Sequence, residues 1–447
     1  MIYLDLAYTL IIKRKTLQLL IPSLLVFISL LLFETRDFSQ VAQNPISASN
    51  LHKVLALIFA SIFMLTFFVL RGLPKHWAVF QTGFLLYILL GVLSSLFFSS
   101  NVFFSLWKLF EVSTVLMLSL YALTLSKGTP LLSYRFYEIC LLFLKFMLIV
   151  AAIGALLYPN EAIRSPLSDD SMAVYGTPLL PYQMFGTILQ VNPNSLGAMS
   201  VILLFVYAHR FMLGNRSFGV VSWVLLSFMF LILSQSRTAF IGLLCAFAVT
   251  MIVNANQRKT TKLFLIFIFA LLVTASANVL VEYFTRGVDQ ERLATLSGRM
   301  IWWEVAIEEY LNADMLAKII GMGFATANRT ILDSKLDQGG AATLHSDYID
   351  ALVSAGMVGL MTLFIIMVAL LTEAYKYAKN VRDPIAIEML GIIIILFVRS
   401  FSGTTIATHN FFLILIFSIA IYLQIEKSRP QHNISNFRIN DATKTRR

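Results

Sequence analysis

Twelve long apolar stretches occupy most of this chain of 447 residues. An α-helix needs about 20 apolar residues to cross the hydrocarbon core of a bilayer. The stretches lie near 16–33, 54–70, 78–97, 109–125, 137–158, 195–212, 218–233, 238–254, 263–284, 347–372, 385–404 and 410–425. With 58% hydrophobic and 13% charged residues, the chain is too apolar for a soluble protein. The stretches lack the alternating pattern of outer-membrane strands, so we predict an all-α polytopic membrane protein of about twelve transmembrane helices.

The positive charges between the stretches predict the orientation of the chain. An even number of spans places both termini on one side, and loops on the cytoplasmic side are rich in Lys and Arg. The side with the termini includes Lys13-Arg14-Lys15, the segment Arg258–Lys262 and a basic tail over 427–447. We therefore expect residues 1–426 to form one integral membrane domain with both termini in the cytoplasm. The net charge of +10 is spread over many short loops, which favours contact with anionic membrane lipids and not with nucleic acid.

Two segments outside the predicted spans are long, 159–190 and 285–345, and the topology places both on the side away from the cytoplasm. In the second segment, residues 299–311 show the helical spacing of an amphipathic helix that lies at the membrane surface. Trp302 and Trp303 in this helix suit the headgroup layer, so we interpret them as interface anchors.

Three residues on that side are candidates for chemistry: Arg237, Arg299 and His345. An arginine between two spans costs roughly 2.5–3.5 kcal/mol at full membrane depth, unless an anion meets it. By position alone, a side chain that extends to the headgroups is the simpler interpretation for Arg237, and a solvated charge for Arg299. His345 directly precedes a helix, whose positive end favours a neutral imidazole that can accept a proton. A common location for all three predicts a site for an anionic lipid-linked substrate.

Five short motifs between residues 190 and 365 form an ordered pattern. They are Asn192-Pro193-Asn194, Ser236-Arg237-Thr238-Ala239 with Gly242, Ser297-Gly298-Arg299 followed by Trp302, Gly321-Met322-Gly323, and His345 followed by Ala355-Gly356-Met357-Val358-Gly359. In their order and spacing they resemble the superfamily of O-antigen ligases and O-antigen polymerases. The first five spans match that superfamily only in number and hydrophobicity. Ser346 is a departure, because the family often has Asn after the histidine, and it leaves the hydrogen bonding around His345 open.

The resemblance implies a metal-independent, GT-C-type glycosyltransferase of the bacterial inner membrane that needs no cofactor. Such an enzyme takes a glycan from undecaprenyl diphosphate, inverts the anomeric carbon and acts at the periplasmic face. Carried over by position, Arg237 and Arg299 would bind the diphosphate, and His345 would deprotonate the acceptor hydroxyl. Fixed guanidinium groups bind phosphate oxygens bidentately, so the leaving diphosphate would need no acid.

Other polar residues near the spans carry less information. Three are secondary candidates for the phosphate site: Asn194, Arg399 and His409. For Arg399 and His409, an anchor at the membrane interface is the simpler interpretation. Lys145 lies near the middle of the fifth span and is expected to face protein or a water-filled cavity. Asp347 and Asp350 are conceivable metal ligands, but no Asp-x-Asp pair occurs in the chain, so we expect no catalytic metal.

The sequence leaves the acceptor open. We expect an O-antigen ligase that transfers the glycan to lipid A-core, with a polymerase of the same superfamily, whose acceptor is a second lipid-linked glycan, as the alternative. A protein O-glycosylating relative and a transporter of lipid-linked glycans are further alternatives. Transporters tend to show two related halves and polar residues at mid-membrane. Here the candidate residues share one face and no halves repeat, which favours an enzyme.

Overall fold

The computed structural model describes residues 2–32, 51–127, 129–164, 182–253, 299–336, 343–381 and 383–428, without the side chains of 2–11 and 333–336. The helices are α1 (Ile2–Ile28), α2 (Leu51–Arg71), α3 (Val79–Phe98), α4 (Val102–Ser126), α5 (Leu131–Leu157), α6 (Pro159–Ala162), α7 (Pro193–Met212), α8 (Phe218–Ser234), α9 (Arg237–Val253), α10 (Arg299–Asn312), α11 (Met315–Ile320), α12 (Thr326–Leu336), α13 (Asp347–Asn380), α14 (Pro384–Ser400) and α15 (Phe411–Lys427). Two short strands, β1 (Ile163–Arg164) and β2 (Gln183–Met184), pair antiparallel after α6.

Six helices in the described part of the chain are long and apolar enough to cross a membrane: α2, α3, α4, α5, α7 and α13. The chain is therefore an all-α, multi-pass membrane protein. The predicted number of about twelve spans is not confirmed. Helices α8, α9, α14 and α15 have 17 residues each, which at about 1.5 Å per residue is shorter than the hydrocarbon core. The predicted span at 263–284 lies outside the described residues.

The outer surface of the bundle is apolar. Val69 on α2, Leu156 on α5 and Phe218 on α8 are 85%, 83% and 89% exposed. Such side chains are unfavourable in water and suit contact with lipid. In contrast, every residue from Phe411 to Leu423 of α15 is buried, as expected for a helix that is apolar on all sides. Helix α15 thus lies in the interior of the bundle, among residues of one large buried apolar cluster.

A charged cluster joins three helices at the end of α7 that carries Arg210. The guanidinium of Arg210 donates from Nε to Oε1 of Glu388 on α14 and from Nη2 to Oε1 of Glu138 on α5, each over 2.9 Å. Glu388 is buried, and a buried carboxylate is stable only with such partners. The N-terminus of α7, at Pro193, lies at the opposite end of the helix.

The structure provides a partner for Lys145 of α5. Its Nζ lies 5.1 Å from the ring centroid of Tyr207 on α7 and 5.7 Å from that of Trp223 on α8. Aromatic faces attract a cation most strongly where water is scarce. The ammonium of Lys145 is therefore accommodated by two rings at the junction of α5, α7 and α8.

Helix α13 is broken at Gly356, whose backbone has φ 73° and ψ −172°. The break receives the end of α11, where Gly321 (φ 103°) meets the backbone of Ser354 and Ala355. The amide of Met322 donates to the carbonyl of Val353 over 2.8 Å, so a carbonyl next to the break keeps a partner. Two glycine motifs that are distant in the sequence thus form one backbone contact, which fixes the first turns of α13 against α11.

We predict that Gly356→Ala destabilises the protein by roughly 2 kcal/mol or more, because an added Cβ meets the carbonyl of Ile319 in a left-handed backbone conformation. Gly72→Ala is the matched control, since Gly72 has a similar φ of 75° but no atom near the added Cβ. Thermal unfolding of the detergent-solubilised protein measures both. Equal midpoints for the two variants would contradict the close contact.

Candidate active site

A polar cavity of about 330 Å³ opens among the ends of α7, α9, α10, α13, α14 and α15. Its lining includes Asn194, Ser195, Ser236, Thr238, Arg299, His345, Arg399, Ser402, Thr404 and Asn410. Four of the five sequence motifs contribute to this wall, although more than a hundred residues separate Asn194 from His345. The fold therefore brings residues that are far apart in the sequence to the wall of one cavity.

Several helices begin at this cavity. Asn192 caps α7 by accepting from the amide of Ser195 over 2.7 Å, and Asn410 caps α15 by accepting from the amide of Leu413 over 3.0 Å. Helices α9 and α10 begin at the motif arginines, and α13 begins two residues after His345. A helix N-terminus presents unbonded N–H groups and the positive end of the helix dipole. Convergence of these ends produces a positive environment suited to an anion.

Arg299 is the first residue of α10, and its side chain lies in the cavity wall. Its Nη1 donates to the carbonyl of Ser402 over 2.6 Å, and within the part of the chain that the structure describes no other residue accepts from this guanidinium. Burial and the nearby charge of Arg237 lower the pKa of Arg299. Arg237 itself begins α9 and does not line the cavity, whereas its neighbours Ser236 and Thr238 do. The charge of Arg237 therefore reaches Arg299 in the wall.

His345 occupies the cavity wall in a left-handed backbone conformation, with φ 57°. Such a conformation is strained for a residue with a side chain, and strain of this kind clusters at functional sites. The imidazole stacks on the ring of Trp302, with centroids 5.7 Å apart and planes 27° apart. Trp302 thus orients His345, a role that the interface-anchor interpretation did not include.

Hydrogen bonds hold the backbone on the N-terminal side of His345. The amide of Leu344 donates to Oδ1 of Asp350 over 2.9 Å, and its carbonyl accepts from Nε1 of Trp303 over 2.8 Å. Asn328 of α12 donates to the same Asp350 oxygen over 2.6 Å. The left-handed turn at His345 is therefore fixed from α10, α12 and α13 together.

Burial lowers the pKa of His345 to about 4, and the charges of Arg299 and Arg399 act in the same direction. The imidazole is therefore neutral at neutral pH, because of its burial and the two arginines. A neutral imidazole accepts a proton, so the group is poised as a base. The same two arginines that favour an anion thus keep His345 unprotonated until one arrives.

Arg399, a secondary candidate, is 7% exposed and lies in the wall of the cavity. Its Nη1 donates to the carbonyl of Thr404 and to Oγ1 of Thr405, and the guanidinium lies 4.3 Å from the ring centroid of Phe412. A buried guanidinium of this kind does not fit the anchor interpretation, which requires contact with headgroups. Asn194 also lines the cavity, whereas His409 lies outside it, in a neighbouring cavity.

Asp347 is a site residue that the sequence mentioned only as a conceivable metal ligand. Its two carboxylate oxygens accept from the amides of Thr405, Ile406 and Ala407 over 2.9–3.0 Å. The loop held in this way also carries the carbonyl of Ser402 that anchors Arg299. Asp347 therefore positions the cavity wall, and its oxygens are directed at N–H donors. A buried acid two residues after the candidate base was the only sequence signal for this role.

We predict that Asp347→Asn lowers the free energy of unfolding by about 3–5 kcal/mol, because the amide places N–H donors against backbone N–H donors in a buried site. Transfer activity should fall with it. Asp314→Asn is the matched control, since the exposed Asp314 is the N-cap of α11, where Asn is also a good cap. Equal thermal midpoints for the two variants would show that the loop does not depend on the charge of Asp347.

The lowered pKa of His345 predicts a pH dependence. Unfolded chains bind a proton at His with a pKa near 6.5, whereas the folded site binds it only near pH 4. The stability that His345 contributes is therefore present above pH 6.5 and is lost as the pH falls toward 4. The acid limb of the profile of kcat/KM, which reports the free enzyme, should also lie near pH 4. An acid limb of kcat/KM at pH 6.5 or above would contradict the burial of His345 between two arginines.

Comparison with known proteins gives two matches. Residues 222–364 match the family model described as O-antigen ligase. The exopolysaccharide production protein ExoQ of Rhizobium meliloti (strain 1021) is 27% identical over 241 residues, which is 48% of this chain and 53% of ExoQ. The chain thus spans about half the length of this relative. The family match includes Arg237, Arg299 and His345. Together the two matches confirm that this chain resembles the superfamily of O-antigen ligases and O-antigen polymerases.

Proposed function

We propose that the chain transfers a glycan from undecaprenyl diphosphate to the hydroxyl of an acceptor at the periplasmic face of the bacterial inner membrane, without a metal ion and with inversion of the anomeric carbon. The observation that carries the proposal is the shared cavity, in which Arg299 and His345 meet the N-termini of several helices. The cavity therefore combines a binding site for an anion with a group that accepts a proton. The superfamily resemblance supplies the donor.

The leaving group is the first part of the reaction. As the glycosidic C–O bond breaks, negative charge increases on the diphosphate. Arg299 in the wall, the nearby charge of Arg237 and the N-terminal amides of α7 and α9 oppose that charge. Because these groups are fixed before the substrate arrives, they stabilise the charge in the transition state without reorganisation.

The acceptor is the second part. The neutral His345 takes the proton of the acceptor hydroxyl. At the same time, the hydroxyl oxygen of the acceptor attacks the anomeric carbon from the face opposite the leaving diphosphate. The positive charges of Arg299 and Arg399 weaken the free base. A bound diphosphate offsets those charges, so its arrival raises the pKa of His345 and makes the imidazole a stronger base. Donor binding thus activates the base.

The orientation of the bundle fits this location. The cavity lies at the N-terminal end of α7, and Arg210 and its carboxylate partners lie at the other end. Lys and Arg are most frequent on the cytoplasmic side, and the loop after α7 adds Arg216 to Arg210. With that end and both termini in the cytoplasm, the cavity faces the periplasm, where finished lipid-linked glycans are presented.

The family match favours lipid A-core as the acceptor, which is the reaction of an O-antigen ligase. The relative favours a second candidate, because its name associates it with exopolysaccharide production. In that reaction the acceptor is a second lipid-linked glycan, and the product is a longer chain on undecaprenyl diphosphate. Both reactions use the same leaving group and the same base.

Reconstitution of the purified protein in liposomes tests the proposal. Undecaprenyl-diphosphate glycan is supplied with either lipid A-core or a second lipid-linked glycan, in the presence of a chelator. Product with lipid A-core identifies a ligase, and a lengthened lipid-linked glycan identifies a polymerase. Glycan that crosses the bilayer without a new glycosidic bond would indicate a transporter and contradict the proposal. Activity that the chelator removes would contradict metal independence.

A further inference from the structure

A second cavity, of about 210 Å³, adjoins the first. It lies between the end of α1, the starts of α2 and α12, and the middle of α4. Its polar lining consists mainly of Lys53, Lys108, Glu111, Arg329, Thr343 and His409. Thr343 also lines the first cavity, where it stands two residues before His345. A ligand in the second cavity therefore lies next to the cavity that His345 lines.

The charges that line this cavity do not balance among the described residues. The carboxylate of Glu111 is the centre of the group, 2.8 Å from Nζ of Lys53 and 3.1 Å from Nζ of Lys108. Arg329 also lines the cavity, with its guanidinium 4.4 Å from the ring centroid of Phe104. Burial of two ammonium groups beside one carboxylate is unfavourable unless a further anion is present.

His409 adds a neutral donor or acceptor to the wall. Its Nε2 lies 3.4 Å from Oγ of Ser29, and its Nδ1 is buried without a hydrogen-bond partner among the described residues. A buried ring nitrogen without a partner is uncommon in folded proteins and indicates a ligand or a water molecule. His409 was proposed from the sequence as part of a phosphate site. Its location connects it with the second cavity and not with Arg299.

We propose that the second cavity binds the phosphate or carboxylate group of the acceptor substrate and so places the acceptor hydroxyl beside His345. This assignment rests on the proposed function. Glu111 holds Lys53 and Lys108 toward each other, and the excess positive charge of the lining binds the anion. The first cavity then takes the donor diphosphate, and the two anionic groups occupy opposite sides of Thr343.

Calorimetric titration of the purified full-length protein with inorganic pyrophosphate, and separately with glucuronate, tests this cavity. Wild type should bind pyrophosphate at two sites. Lys53→Gln should weaken one of them by at least about tenfold, because it removes a charge-assisted contact. Glu111→Gln should strengthen the same site, since it raises the positive charge. If the ion pair only supports the fold, Glu111→Gln should weaken pyrophosphate binding at this site, and that result would overturn the proposal.

Two further variants serve as controls. Lys427→Gln makes the same chemical change at an exposed lysine on the last helix, and it should leave both sites unchanged. Lys108→Gln with Glu111→Gln removes an ion pair but keeps the net charge of the cavity, so it should fold and retain binding. If Lys53→Gln behaved like Lys427→Gln in both titrations, the cavity would not be an anion site. Binding of glucuronate indicates an acidic sugar of the acceptor, and binding of pyrophosphate alone indicates a lipid-linked phosphate.

The proposed function and the proposed acceptor site are contradicted by different results. Arg299→Gln should abolish the other pyrophosphate site and leave the one that depends on Lys53. If Arg299→Gln has no effect while Lys53→Gln does, the donor site is wrong and the second cavity is still an anion site. In the transfer assay, Lys53→Gln should raise the KM for the acceptor and leave the KM for the donor unchanged. A rise in the donor KM alone would contradict the assignment to the acceptor.

Discussion

His345→Asn should lower kcat by about 10²–10⁴-fold and leave the KM for the donor unchanged, because a positioned base contributes a factor of that size. Asn lacks a group that takes a proton at neutral pH. It is nevertheless among the residues that tolerate a left-handed backbone, so the turn with φ 57° should survive. Single-turnover transfer with purified donor and acceptor measures the effect, and donor binding is measured separately.

The controls for this variant separate the loss of the base from the loss of the fold. Thermal unfolding of His345→Asn should resemble that of wild type, whereas His345→Ala should be less stable, because Ala disfavours the left-handed conformation. Donor should accumulate in the bound form in both variants. A His345→Asn enzyme with a tenth or more of the wild-type kcat would remove the imidazole from the mechanism. Residual movement of glycan across the membrane would instead support a transporter.

The helices of this protein could be predicted from the sequence wherever one apolar run is long enough to signal a span. Helices α2, α3, α4, α5 and α7 lie where those runs predicted them, and α10 lies where the helical spacing after Arg299 predicted it. These elements depend on local periodicity. The break at Gly356 does not, because it exists to admit the backbone of α11, which is more than thirty residues earlier in the chain.

The candidate site could be predicted in part. Arg299 and His345 line one cavity, whereas Arg237 is next to two lining residues, Ser236 and Thr238, and its charge acts on Arg299. The loop between α14 and α15 was not recognised as part of the site. It reaches the cavity because Asp347 accepts hydrogen bonds from three of its backbone amides. Backbone amides are present in any loop, so these bonds leave no recognisable pattern in the loop sequence. For the same reason, the sequence did not distinguish a phosphate site from an interface anchor for Arg399 and His409.

Burial separates the roles of the polar residues more sharply than their type does. Arg399 and Arg299 are both arginines next to spans, yet Arg399 donates to two atoms of the loop that it supports and, over 3.5 Å, to Oγ of Ser195. Among the described residues, Arg299 makes one hydrogen bond, to the carbonyl of Ser402. Because a ligand needs donors that the protein does not already use, Arg299 is the better candidate for direct contact with phosphate, and Arg399 for support of the wall.

Arg299→Lys should raise the KM for the donor by about 10–100-fold and lower kcat as well. A guanidinium presents a planar fork that binds two phosphate oxygens at once while it also donates to the carbonyl of Ser402. An ammonium is a point charge and cannot do both in the same geometry. Loss of one charge-assisted contact to a phosphate corresponds to roughly 1.5–3 kcal/mol. Steady-state kinetics with varied donor measures the change.

The comparison with two other arginines makes this prediction specific. Arg237→Lys should have a smaller effect on donor KM, because Arg237 acts through its charge and lysine keeps that charge. Arg164→Lys, at the exposed strand β1, should have none. The charge of Arg299→Lys also persists, so the lowered pKa of His345 should change little, and the acid limb of kcat/KM should stay in place. A donor KM in Arg299→Lys equal to that in Arg164→Lys would mean that the diphosphate does not contact this guanidinium.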